Sequence, residues 1–184
     1  NGYLVDGALV FFDRTKKQVS HELEMLSGSK PADGGNLLLS NEEYEELIEK
    51  EPLAKKYIKR FMMGNEFLNN IKRWCLWFAG CDAIQLNKDL EKMPLVRDRI
   101  EKVRSMRLAS TKAATVKKAE TPHLFDEQGY IDEPYIGLPK VSSENRRFLP
   151  VGFLDKIVAG DKLYVLLGGK IYHFGILSSS MHNA

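Results

Sequence analysis

Six consecutive polar residues, SSENRR at positions 142–147, place two hydroxyls, a carboxylate, an amide and two guanidiniums between apolar runs that predict strands. Such groups are suited to reading hydrogen-bond patterns. Arg can donate twice to guanine, Asn can pair twice with adenine, and Glu can accept from cytosine. The candidates for reading base edges are therefore Glu144, Asn145, Arg146 and Arg147.

The two serines of the same stretch, Ser142 and Ser143, are assigned to positioning on the phosphate backbone. Roughly half to two-thirds of protein–DNA hydrogen bonds go to phosphate and sugar, so a loop of six polar residues need not direct all of them at bases. Two simpler explanations stay open. The stretch is a solvated turn, or Glu144 and Arg147 pair with each other and brace it.

A second group that could act on phosphates is cationic and follows Pro94. One long helix is predicted over residues 94–120, with Val96, Ile100, Val103 and Met106 on one broad side. Steps of seven and eight residues put Arg97, Arg104 and Lys112 on another face. Such a seam can neutralise phosphates. A solvated basic face explains the same composition equally well.

The sequence contains none of the common motifs of catalysis or cofactor binding. The glycine stretches DGGN and LLGGK lack the spacing of a phosphate-binding loop, and LLGGK reads as a hairpin turn. There is no Asn/Asp-Pro-Pro-aromatic tetrapeptide, nucleophile elbow or HExxH, and the four histidines have no metal-ligand spacing. We therefore expect no catalytic residue, no cofactor and no metal in this chain.

Length and composition allow one globular domain over residues 1–184, or one domain with an appended piece, and the net charge is only +2. Cys75 and Cys81 suggest no disulfide framework, and no apolar run reaches the roughly 20 residues of a membrane span. A reducing cytoplasm fits best, without membrane contact. Because the chain lacks an initiator Met and ends within an expected helix, it is interpreted as a piece excised from a longer protein.

The secondary-structure elements that would position the polar stretch and the cations predict an α+β domain. Strands are expected at ALVFF (8–12), NLLLS (36–40) and KRWCLWF (72–78), and a helix at LAKKYIKRF (53–61). Ser40 and Glu43 have the spacing of a capping box at a helix start. The last third, with YIGLPKV, FLPVGFL, KLYVLLGG and KIYHF, predicts mostly sheet. We expect a mixed or antiparallel sheet with a long basic helix and short helical insertions.

Five co-linear stretches resemble the carboxy-terminal part of large single-chain DNA methyltransferases. They are DGGNLLLS, KYIKRFMMGNEFLNNIKRWCLWF, AETPHLF, VSSENRRFLPVGFL and YHFGILSSSMH, and they span nearly the whole chain. The chain is similar to the MmeI-like family of type IIG/IIL restriction-modification enzymes and their YeeA-like relatives. The resemblance implies a target recognition domain that contacts double-stranded DNA, with a fold like that of type I specificity subunits.

The same resemblance implies a parent enzyme whose catalytic domain, in the same chain, binds S-adenosylmethionine and methylates adenine at N6. A cleaving version would carry a nuclease at its far amino terminus. Relatives often have Gly-Lys-Glu-Arg-Tyr where this chain has Asn-Ile-Lys-Arg-Trp at 70–74, so contacts of the shifted positions are in doubt, while Arg73 remains a phosphate candidate. The competing hypothesis is a non-catalytic interaction or scaffolding domain of similar fold.

Overall fold

The computed structural model describes residues 23–143 and 145–179, so the predicted strand at 8–12 and the side chain of Glu144 lie outside the described residues. The strands are β1 Met25–Ser27, β2 Leu38–Leu39, β3 Ile58–Met62, β4 Arg73–Leu76, β5 Tyr135–Pro139, β6 Gly152–Leu154, β7 Ile157–Ala159 and β8 Leu163–Leu167. The α-helices are α1 Asn41–Lys50, α2 Gly64–Asn69, α3 Ala83–Leu90, α4 Pro94–Leu108, α5 Ala113–Lys117 and α6 Ile171–Leu177. Short 3₁₀ helices cover Pro52–Tyr57 and Lys118–Glu120.

The described strands form two four-stranded sheets. In the first sheet the order is β1-β8-β5-β6, and all neighbours are antiparallel. In the second the order is β2-β4-β3-β7, with β3 and β7 parallel and the other pairs antiparallel. The predicted α+β class with antiparallel and mixed sheets is confirmed.

Alternating side chains of β5 and β8 divide the core into layers, because successive residues of a strand point to opposite faces. Tyr135, Leu163 and Val165 pack with Met62 and Ala159 of the second sheet. On the other face of the first sheet lie Ile136, Leu138, Leu166 and Leu177, the last from α6. A larger cluster joins the second sheet to α1, α3 and α4.

The capping box predicted at Ser40 is present. The Ser40 hydroxyl accepts from the Glu43 amide at 3.1 Å, and a Glu43 carboxylate oxygen accepts from the Ser40 amide at 2.8 Å. Pro94 occupies the first turn of α4, as predicted, and Val96, Ile100 and Val103 are buried. Local sequence signals therefore predicted where α1 and α4 begin and which side of α4 is apolar.

Two predictions about local structure are wrong because tertiary contacts decide them. The expected helix at 53–61 is a 3₁₀ turn followed by β3, whose backbone is paired on both sides, with β4 and with β7. The expected strand at KIYHF is helix α6, so LLGGK joins a strand to a helix and is not a hairpin turn. Gly168, between β8 and α6, has a φ of 66°, in the left-handed region that glycine adopts without a steric penalty.

The single long helix predicted over residues 94–120 is also wrong. Helix α4 ends at Leu108, and Lys112 has an extended conformation before α5 begins. The Ser110 hydroxyl accepts a hydrogen bond from the Lys112 amide at 3.2 Å, a local alternative to helical pairing. The chain then returns alongside α4 instead of continuing its axis.

Candidate nucleic-acid interface

The polar loop, defined as residues 142–147, lies in the connection between two paired strands. β5 and β6 are antiparallel neighbours, with Ile136 opposite Phe153, so both ends of the connection are held by the sheet. Val141 enters the loop with 78% of its surface exposed, and Asn145, Arg146 and Arg147 are exposed as well. The loop therefore presents the side chains of Asn145, Arg146 and Arg147 to solvent from a base that the sheet holds.

Ser143 shapes the loop from within. Its backbone carbonyl accepts from the Arg146 amide at 3.1 Å, and its hydroxyl accepts from the Asn145 amide at 3.3 Å. Ser142 differs, because its hydroxyl oxygen is buried without a hydrogen-bond partner among the residues that the structure describes. A buried hydroxyl without a partner is unfavourable, so this group remains able to bond to something outside the described chain.

The two guanidiniums of the polar loop have different surroundings. Arg147 lies over the Phe148 ring, 5.2 Å from its centroid, which limits where its donors can point. Within residues 23–143 and 145–179, no ion pair involves Arg146. The alternative in which Glu144 and Arg147 brace the turn involves a side chain outside the described residues.

Arg73 lies near the start of the polar loop. A groove of about 420 Å³, the α2 groove, is lined by Met63, Gly64, Asn65, Glu66, Leu68, Arg73, Val141 and Lys162. Arg73 donates through Nη1 to Glu66 at 2.9 Å, and Glu66 is buried. The structure thus brings Arg73 together with Val141, the residue that precedes Ser142 and Ser143.

The cations of α4 lie on a different groove. Arg97 and Arg104 line a cleft of about 440 Å³ between α3, α4 and the segment around His123, together with Glu91, Glu101 and Glu120. Arg104 approaches Glu101 at 3.5 Å. Lys112 is exposed but lies past the end of α4, so its predicted alignment with Arg97 and Arg104 on one helical face is wrong.

A residue that sequence reasoning missed, Arg107, fixes the chain that follows Lys112. It is only 1% exposed, and its five N–H groups donate to five backbone carbonyls, those of Pro31, Ala32, Lys118, Thr121 and Leu124. Burial lowers the pKa of the Arg107 guanidinium from its usual value. Arg107 lies eleven residues after Val96 and four after Val103, so the helical period places it in the middle of the apolar side of α4, and this is the signal that could have found it.

Burial and the positive charges of Arg107 and Arg104 lower the pKa of His123. The neutral form of its imidazole is therefore favoured. No group of His, Cys, Asp and Glu side chains within the described ranges is arranged to hold a metal ion. No described helix is long and apolar enough to cross a membrane. Cys75 is buried and Cys81 is exposed, and both are free thiols.

The described residues thus combine a layered α+β core with a polar loop anchored on two paired strands and with exposed cationic side chains. A family model described as "MmeI, target recognition domain" matches residues 6–184, and the chain belongs to that family.

Two relatives place this assignment in context. The chain is 35% identical over 183 residues to DNA methyltransferase A of Bacillus subtilis (strain 168). The aligned region covers 98% of this chain and 20% of that protein. It is similar, at 40% identity and a TM-score of 0.88, to a solved structure of the type IIL restriction-modification enzyme MmeI in complex with DNA; 98% of this chain and 24% of that one are covered. The chain therefore spans about a fifth to a quarter of the length of these relatives.

Proposed function

We propose that residues 1–184 form a sequence-specific recognition domain for double-stranded DNA, which acts within a longer restriction-modification methyltransferase. The parent's catalytic domain, in the same chain, would bind S-adenosylmethionine and methylate adenine at N6. The recognition domain would place the target adenine for that reaction, in the bacterial cytoplasm where the nucleoid lies. A parent that also cleaves DNA would carry its nuclease outside residues 1–184.

The observation that carries this proposal is the polar loop, held between two paired strands in a member of a target recognition family. Strand anchoring reduces the entropy lost on binding and holds the donors in place. Asn145, Arg146 and Arg147 are the exposed residues assigned to base edges, together with Glu144. Phosphate and positioning roles are assigned to Ser142, Ser143, Arg73, Arg97, Arg104 and Lys112.

The experiment is a binding assay with selection. The 184-residue chain is incubated with a pool of random duplexes at moderate salt, bound duplexes are recovered, and fluorescence anisotropy then follows binding as salt is varied. We expect one enriched motif and an affinity that falls linearly, on logarithmic scales, with salt. Salt-dependent binding without any enriched motif would reject sequence recognition by this chain.

A second candidate, a protein-interaction domain, is favoured by an apolar surface formed by β1 and α6. Leu23, Met25, Leu166, Tyr172 and Ile176 line a shallow cavity there, beside Ile171, which is 74% exposed. Exposed apolar residues that cluster mark contact sites. If the chain binds no duplex at any salt concentration, the interaction domain becomes the preferred reading.

A further inference from the structure

We propose that the α2 groove binds a phosphodiester of the DNA backbone beside the bases that the polar loop contacts, with Lys162 and Arg73 as its cations. The proposal rests on the proposed function and adds a site that includes Lys162, a residue outside the polar loop and the basic helix. The groove is lined by α2, the start of β4, the turn between β7 and β8, and Val141.

The first support is the fixed position of Arg73. Glu66 is only 3% exposed, and both its oxygens are engaged, one with Arg73 Nη1 at 2.9 Å and the other with the Met63 amide at 3.0 Å. The Arg73 guanidinium is thus held by one donor while its remaining donors are unoccupied among the described residues. A planar guanidinium fixed in this way is suited to a phosphate, because less side-chain freedom is lost on binding.

Lys162 brings a second positive charge to the same groove. Its side chain is 66% exposed, and its ammonium lies 3.4 Å from Asp161. Its backbone carbonyl accepts from the Lys140 amide at 2.9 Å, which ties the turn between β7 and β8 to the segment that leads into the polar loop. A phosphate bound by Lys162 would therefore lie close to where the polar loop begins.

The rest of the groove fits the other parts of a nucleotide backbone. Asn65 uses its side-chain oxygen to accept from Asn69 Nδ2 at 2.7 Å, so its own amide nitrogen remains a donor. Met63, Leu68 and the exposed Val141 give an apolar wall. A deoxyribose can pack on that wall while the phosphate faces the cations, whereas a free inorganic phosphate would leave the wall uncovered.

The test compares Lys162→Ala with a matched control, Lys50→Ala. Lys50 is similarly exposed, at 55%, and also contacts one carboxylate, Glu46, but it lies on the acidic helix α1. Anisotropy with a duplex DNA, measured over a salt series, gives the slope of affinity against salt for wild type and both variants. We expect Lys162→Ala to reduce the slope by about 0.9, the value for one phosphate contact, on all duplex sequences, and Lys50→Ala to leave it unchanged.

Arg73→Lys supplies a second variant that keeps the charge and a partner for Glu66 but loses the planar fork. We expect weaker binding with a melting temperature near that of the wild type. Calorimetric titration with inorganic phosphate separates the two sources of a phosphate group, and binding of inorganic phosphate as tight as that of duplex would contradict the assignment to DNA. If Lys162→Ala leaves the salt slope unchanged while the wild type binds normally, the proposal that the α2 groove binds a phosphodiester is wrong, and the proposed function stands. Absence of wild-type binding overturns both.

Discussion

Arg146 is the side chain of the polar loop for which we propose base reading, because it is exposed and takes part in no ion pair among the described residues. Base reading by Arg depends on its two parallel donors, which a lysine of equal charge cannot reproduce. Ser143 holds the Arg146 backbone by a hydrogen bond at 3.1 Å, so the side chain starts from a fixed point.

We predict that Arg146→Ala weakens binding to the selected duplex by about 1 to 3 kcal/mol and relaxes preference at one base pair. Arg146→Lys should relax the same preference while retaining more of the affinity. Repeating the duplex selection with each variant measures both effects. An unchanged motif and unchanged affinity in Arg146→Ala would show that this side chain does not take part in recognition.

At the same scale, Asp89 joins α3 to the 3₁₀ turn before β3. It accepts from the Tyr57 hydroxyl at 2.6 Å, from Lys56 Nζ at 3.0 Å and from Gln85 Nε2 at 2.7 Å. The hydrogen bonds from Tyr57 and then Lys56 lower the pKa of Asp89 to about 2. The carboxylate is therefore the form that the folded chain stabilises.

A depressed pKa gives stability that is present above the unfolded value of about 4 and is lost as pH falls toward 2. We predict that wild type is more stable than Asp89→Asn at pH 7 and that this difference shrinks between about pH 4 and pH 2. Urea unfolding at a series of pH values measures it, with Asp155→Asn, an exposed site, as the control. A difference that stays constant down to pH 2 would contradict the role of the charge.

At the scale of elements, Arg107 determines the path of the chain after α4. All five of its donors are used on carbonyls that belong to the segments at 31–32 and 118–124. Helix α5, which has no buried residue of its own, is followed directly by this bonded segment. Arg107 thus holds in place the corner that carries Lys112.

We predict that Arg107→Met lowers the free energy of unfolding by about 3 kcal/mol or more, since buried carbonyls left without partners are each unfavourable by about 1 to 3 kcal/mol. Arg97→Met, an exposed change on the same helix, should stay within about 0.5 kcal/mol of wild type. Chemical denaturation of both variants checks this. Equal stability of the two variants would mean that water replaces the guanidinium at little cost.

Arg97 has a separate expected role, as a contact to phosphate. We predict that Arg97→Ala weakens binding to all duplexes about equally and lowers the salt slope by about one unit. Lys92→Ala, an exposed lysine just before α4, is the control in the same anisotropy series. Loss of preference for one base with the slope retained would assign Arg97 to base reading instead.

A comparison of predicted and observed elements shows which parts of the fold the sequence predicts. Signals that act within one turn, such as Ser40 with Glu43 or Pro94 at a helix start, predicted what the structure contains. Local signals predict a helix at Ile58 and Phe61, whereas the strand there depends on partners elsewhere in the chain. Ile58 pairs with Leu76, and Phe61 pairs with Arg73 and Val158. The α2 groove could not be predicted from the sequence for the same reason, because only the tertiary structure brings Arg73 and Lys162 to one groove.

At the scale of the whole molecule, the chain is a recognition domain without signatures of a cofactor site. We predict that calorimetric titration with S-adenosylmethionine gives no stoichiometric binding to residues 1–184. Titration of the same sample with duplex DNA serves as a control for folded protein. Stoichiometric cofactor binding would reject the assignment of the methyl donor to segments outside this chain.

The parallel pairing of β3 with β7 has a consequence for synthesis. Residues 60–62 pair with residues 157–159, so β3 keeps one open edge until the last third of the chain is available. On the ribosome, the second sheet can close only after Ala159 has left the exit tunnel, and contacts of such long sequence separation form slowly. A nascent or truncated chain that stops before Ile157 would expose the strand edge of Arg60 and Phe61, which invites pairing with other chains. We therefore expect expression variants that end before β7 to aggregate more than variants that end after it, as light scattering of the two would measure.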